Sequence, residues 1–236
     1  MKVYILVLVI IYIILYYRYF YRVSDNIEII QLPIGFDMVD WNLAIKSRNP
    51  IIFNLEKKVK IKKFTDLSFN DQLFTCQNEK DKIKMPGKVF YRLCNEDNKE
   101  KHLDTLYYLT KTKDTDDLFI DYLSFYSTHF LNNNPDIYII PKLCQFPIQS
   151  FKSYTYLWLT DGECDVILFP YNSQNKNTFQ STKTINFWKD KQQLNGSGYL
   201  EIKLREHNVI AIPPHWWYTI DCKTPIIIYK LNDFRI

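Results

Sequence analysis

The feature that most limits what this chain can fold into is a series of seven short β-rich segments in its last hundred residues. They are IYII (137–140), YTYLWL (154–159), CDVILF (164–169), GYLEIKL (198–204), VIAI (209–212), WYTI (217–220) and PIIIYK (225–230). Each is rich in β-branched and aromatic side chains and is bounded by polar, glycine or proline turns. No good helix separates them, so alternating βαβ units are excluded and an antiparallel sandwich or barrel is expected. Upstream, NPIIF (49–53) reads as a short buried strand opened by a proline turn, and Val89–Leu93 reads as another strand. Residues 114–130 read as the best helix of the body, with Leu118, Tyr122, Phe125, Tyr126 and Phe130 at helical spacing. Pro135 then disfavours helical geometry at Asn134. A 47% apolar fraction over 236 residues supplies a core, while only five glycines exclude a collagen-like or linker-rich chain.

A different pattern governs the amino terminus. Val3–Tyr17 reads VYILVLVIIYIILYY without a charge, and the apolar and aromatic stretch runs on through Tyr19, Phe20 and Tyr21 with Arg18 as the interruption. A helix of about 20 such residues matches a hydrocarbon layer of about 30 Å, Arg18 can snorkel at one end, and tyrosines suit the interface. The expectation is a single-pass anchor over residues 1–25, carried by Val3, Ile10, Tyr17 and Arg18, followed by one domain over residues 26–236. A cleaved secretory signal fits less well, because no small-x-small site follows in RVSDNIEII. Lys2 and the amino group oppose Arg18 and Arg22 across the span, so orientation is weakly set. A cytosolic or virion-internal body is expected from that balance and from thiols that look reduced.

The net charge of +4 asks for no nucleic-acid partner, and none of sequence-specific kind is expected. Locally, Lys57, Lys58, Lys60, Lys62 and Lys63 place five lysines among seven residues, and Lys58, Lys60 and Lys62 alternate with Val59 and Ile61. A strand with one lysine face either guards a sheet edge or meets an anionic partner such as lipid headgroups. The five cysteines include no C-x-x-C pair, so neither a disulfide framework nor a zinc knuckle is indicated. Cys164 lies between Glu163 and Asp165, where negative charge disfavours the thiolate and hence a cysteine nucleophile. Hydrolase, phosphate-loop, zincin and dinucleotide motifs are missing from the sequence. His102-Leu103-Asp104 has the H-x-D spelling of an iron pair within a very polar loop, and Asn195-Gly196-Ser197 is a glycosylation sequon that matters only in the secretory lumen.

Three stretches in order carry a family resemblance: LWLTDGECDVILFPY (157–171), LREHNVIAIPPHWWYTI (204–220) and IIIYK (226–230). They resemble the Jumonji C or cupin-like proteins, a double-stranded β-helix family that includes iron(II) and 2-oxoglutarate-dependent hydroxylases and demethylases. The resemblance covers about residues 45 to 232. It implies a cupin-like jelly-roll barrel with flanking helices. In that family an H-x-D/E pair and a distal histidine hold iron, leaving adjacent positions open for co-substrate and oxygen. The family's spacing places the pair near Gln149 and Phe151 and the distal histidine at Tyr218, so each expected ligand is replaced. The resemblance therefore implies a degenerate, metal-free member that binds a partner or builds a structure. The residue usage suggests an AT-rich genome, and family members of this size are familiar from large DNA viruses, so a viral membrane or virion protein is expected. Capsid or membrane proteins are its expected partners, alongside the bilayer. The alternative is a hydroxylase using Fe(II) and 2-oxoglutarate with an unorthodox ligand set of His102, Asp104 and His215.

Overall fold

A computed structural model describes residues 2–21, 27–55, 73–78, 81–95, 107–111, 136–142, 146–179, 194 and 198–233. In chain order these form α1 (Lys2–Tyr21), β1 (Ile30–Gln31), α2 (Met38–Ser47), β2 (Ile51–Asn54), β3 (Leu73–Asn78), β4 (Asp81–Pro86), α3 (Gly87–Asn95), β5 (Tyr107–Lys111) and β6 (Asp136–Ile140). There follow β7 (Gln149–Ser150), β8 (Tyr154–Asp161), β9 (Glu163–Phe169), α4 (Ser173–Phe179), β10 (Leu200–Arg205), β11 (Asn208–Ile212), β12 (Trp217–Cys222) and β13 (Ile226–Asp233). The chain is mainly β. All seven segments expected as strands are strands.

The strands build two sheets. The larger runs β1-β2-β11-β8-β13-β6-β5-β3-β4 and the smaller β10-β9-β12-β7. Among the described pairings β1 with β2 is parallel and the others are antiparallel. Neither sheet closes on itself, which corrects the expectation of a closed barrel for the described residues: β1, β4, β10 and β7 are left as edges. From β8 onward the chain passes between the sheets four times, at β8–β9, β10–β11, β11–β12 and β12–β13. Three of these crossings turn on a residue with positive φ: Gly162 (φ 86), His207 (φ 73) and His215 (φ 67). At Gly162 only glycine fits, because a Cβ would lie 2.7 Å from the Pro225 carbonyl oxygen.

The two sheets share one core. Phe53, Tyr156, Leu157, Val209 and Ile228 of the larger sheet are buried in the same cluster as Val166, Leu168, Tyr218 and Ile220 of the smaller. Apolar burial of this kind is the main stabilising term, about 25 cal/mol per Å² removed from water. Trp41 from α2 completes one end, edge-on to Phe53 at 5.5 Å and stacked near Tyr156.

The helices depart from expectation. Helix α2 has no counterpart among the elements expected from the sequence; Asp37 caps it by accepting from the Val39 and Asp40 amides, and Asp40 reaches back to the Asp37 amide. Val89–Leu93 lies in α3, not in a strand. Gly87, Phe90 and Cys94 are its buried residues, a helical spacing that five residues of apolar and polar alternation cannot reveal. The short helix α4 also interrupts the strand series expected to run without one. The helix expected at 114–130 lies outside the described residues.

Helix α1 covers the uncharged amino-terminal run, and its side chains Tyr4–Leu15 are all exposed, from 46% to 77%. Those twelve residues rise about 18 Å. Among the described residues no helix is long and apolar enough to cross a membrane, so the expected transmembrane helix is not found there.

Candidate functional site

The interior between the sheets contains a charge. Lys230 sits in β13, one of the central strands of the larger sheet, and is only 4% exposed. Its register partners are Asp136 in β6 and Leu157 in β8. Alternation along β6 puts Tyr138 on the same face as Asp136, diagonal to Lys230. The ammonium Nζ lies 3.4 Å from the Tyr138 hydroxyl oxygen, 5.5 Å from the centre of the Tyr138 ring and 3.7 Å from that of the Phe151 ring.

The smaller sheet supplies the other wall. Tyr218 in β12 pairs with Gln149 in β7, and the Tyr218 hydroxyl donates to Gln149 Oε1 at 3.4 Å. Lys230 Nζ donates to that same Oε1 at 3.4 Å. Phe151 follows β7 directly, its ring 6.3 Å from that of Tyr218. Phe146 packs edge-on against Tyr138 at 5.1 Å and stacks parallel to Tyr218 at 6.3 Å. The Phe146 segment is held down from β12: its amide donates to the Ile220 carbonyl at 3.1 Å, and Thr219 Oγ1 donates to the Phe146 carbonyl.

Gln149, Phe151 and Tyr218, the three positions at which the resemblance places metal ligands, are thus brought together, and the cation among them is a lysine. Burial pushes Lys230 down from 10.5 to about 8, opposed by the charge of Asp136. At pH 7 the amine is still mostly protonated. Its three donors face a phenol oxygen, an amide oxygen and an aromatic ring, all suited to an ammonium ion. These groups do not fit iron. An amide oxygen, a phenol and a phenyl ring are not the two imidazoles and carboxylate that such a centre needs. Two like unit charges about 4 Å apart repel by about 4 kcal/mol at an effective dielectric near 20. A divalent ion at this place would meet the ammonium.

The alternative ligands are not brought together by the described residues. His102 and Asp104 lie outside them. His215 lies in the β11–β12 turn, not on a strand, with its amide donating to the Phe151 carbonyl at 2.7 Å and its ring 5.2 Å from Tyr171. Its pKa is lowered, first by burial and then by the positive charges of Lys152 and Arg48. That surrounding favours neutral imidazole, while the positive charges of Lys152 and Arg48 disfavour a neighbouring cation. Among the described residues no group of three or more His, Cys, Asp or Glu side chains is placed to hold a metal.

Trp216 and Trp217 are both buried, Trp217 stacked on Tyr171 at 5.6 Å in a small cluster with Ile167, Phe169 and Leu194. Cys164 is buried, and its thiol is pushed far up, first by burial and then by Asp165, Asp221 and Glu163. Glu163 and Asp165 were the ground for discounting it as a nucleophile; burial is the larger cause, and Asp221 adds to it from β12. Lys57, Lys58, Lys60, Lys62 and Lys63 lie outside the described residues. Of the anchor residues, Val3, Ile10, Tyr17 and Arg18 all lie in α1, and the Ile10 side chain is 47% exposed.

Lys230 is the residue sequence reading passed over, as the end of a strand segment. The signal was there: a lone charge following IIIY and preceding Leu in a run too apolar to be an exposed edge. Compared with known proteins, the sequence matches no family model and no curated protein.

Proposed function

We propose that this chain is a membrane-anchored, metal-free relative of the Jumonji C or cupin-like fold, working as a binding or structural protein and not as an oxygenase. The observation that carries the reading is the Lys230 ammonium, held between the sheets by Gln149 and Tyr138 and against Phe151. A fixed internal cation replaces an exchangeable one, keeping the two sheets bridged while removing the reactive centre. The two sheets, with four passages of the chain between them from β8 onward, support a cupin-like relationship. Exposed apolar side chains on every face of α1 support the anchor, because such a helix is stable only when buried in protein or in lipid. A virion or host membrane, with the body on the cytosolic or virion-internal side, is the setting that fits, and a capsid or membrane protein is the partner.

The test is turnover. The full-length chain in nonionic detergent, supplied anaerobically with Fe(II) and 2-oxoglutarate and then exposed to oxygen, is expected to release no succinate above a protein-free control. Sustained succinate release proportional to protein would refute the reading in favour of a hydroxylase.

A further inference from the structure

Directly after the anchor helix the body presents an apolar surface. Ile34 is 75% exposed, Val39 64%, Leu43 63%, and Ile27, Ile29 and Met38 are exposed beside them. Pro33–Phe36 is a tight turn with Gly35 at φ 77, closed by the Phe36 amide on the Pro33 carbonyl, and it holds Ile34 outward. Val39 and Leu43 are four apart on α2 and so share a helix face. A shallow groove lined by Ile30, Leu32, Pro33, Asp40, Leu43 and Ala44 joins the turn to the helix. The opposite face of α2, with Trp41 and Ile45, is spent on the core. Water therefore meets a set of apolar side chains, clustered in sequence within residues 27–43, of the kind that marks an interaction surface.

We infer that this patch is a foot that rests in the headgroup region of the same bilayer that holds α1. The inference rests on the anchor reading, and chain length ties the two together. Helix α1 ends at Tyr21 and the patch begins at Ile27, so the intervening residues let Ile27 lie at most about 20 Å from the end of the helix. With α1 in the membrane, the first part of the body to reach the surface is this one. Residues 27–47 carry Glu28, Asp37 and Asp40 against Lys46, so the contact is apolar and gains nothing from anionic lipid. Its partner is a zwitterionic or neutral interface, which separates it from any electrostatic docking through the lysines at 57–63. The contact fixes the tilt of the body and leaves the far end of the sheets to a protein partner.

The experiment reconstitutes the full-length chain into phosphatidylcholine vesicles containing a phosphatidylcholine with a diazirine near the carbonyl end of one acyl chain. After photolysis, lipid adducts are mapped by peptide mass spectrometry. Adducts are expected in both 2–21 and 27–47, with the 27–47 yield unchanged by high salt or by added phosphatidylserine. Val39→Asp with Leu43→Asp should abolish the 27–47 adducts and leave those in 2–21; both sites are exposed, and at position 39, in the first turn of α2, a carboxylate suits the helix dipole. Adducts in 2–21 without any in 27–47 would overturn the foot and spare the anchor. No adducts in 2–21 would overturn the anchor itself. Crosslinks from 27–47 to a second copy in place of lipid would also overturn the foot.

Discussion

Exchanging Lys230 for Met tests the internal cation through the pH dependence of folding. The ordinary lysine value is 10.5 and the folded value about 8, a gap worth about 3 kcal/mol. Below pH 8 the folded and unfolded chains both carry the proton, and the cost of burying the charge is present in full. Between about pH 8 and 10.5 the folded chain has lost the proton while the unfolded chain keeps it, so stability rises with pH. From pH 7 to pH 9 the rise is about 1 kcal/mol. Buried thiols work the other way. Cys76 is pushed up from 9.0 to about 12 and Cys164 is raised as well, so above pH 9 the unfolded chain ionises first and stability falls. Subtracting the variant cancels the thiols. Urea unfolding of the full-length chain in nonionic detergent, followed by tryptophan fluorescence, should show native minus Lys230→Met stability rising by about 1 kcal/mol from pH 7 to 9. At pH 7 the variant should be at least as stable as the native chain, because an apolar side chain of similar length removes the desolvation cost and Gln149 Oε1 keeps the Tyr218 hydroxyl. Parallel pH profiles, or a variant markedly weaker at pH 7, would refute the picture of a depressed, desolvated ammonium.

Gly162→Ala should destabilise the chain by about 2 kcal/mol or more, read as a lower urea midpoint, because it meets both a positive φ and the Pro225 carbonyl. His215 has a folded pKa below 6.5, so the unfolded chain takes up its proton first as pH falls and stability declines below about pH 6.5; His215→Gln should flatten that part of the profile. Ile10→Lys, at the middle of the apolar run, should cost about 3 kcal/mol of insertion and release the chain from membranes on carbonate extraction. Expressed in eukaryotic cells, the chain should gain no glycan at Asn195; a glycosidase-sensitive mobility shift would place the body in the lumen.

The strands were legible because their signal is local: each of the seven carboxy-terminal segments is a β-rich run closed by turn residues. Their partition into two sheets was not, since it depends on where the chain crosses over, at Gly162, His207 and His215, and a positive φ outside glycine is uncommon even for histidine. Helix α2 could have been found from Asp37 and Asp40 at capping-box spacing, but its ten residues bury only Trp41, Ala44 and Ile45, a weak periodic signal. Helix α3 failed because a five-residue window fits both periods. At the site, spacing from the resembled family singled out Gln149, Phe151 and Tyr218, whereas Lys230 comes from β13, on the other sheet and twelve residues beyond Tyr218. Only tertiary structure brings its amine to the other three.

The most direct test of an ammonium standing where the resembled family keeps a metal is equilibrium binding of Mn(II), followed by electron paramagnetic resonance, to the full-length chain under anaerobic conditions. The account predicts a free-ion signal that tracks added Mn(II), as it does without protein. Loss of that signal at one equivalent, with histidine nitrogen couplings on the bound ion, would contradict it.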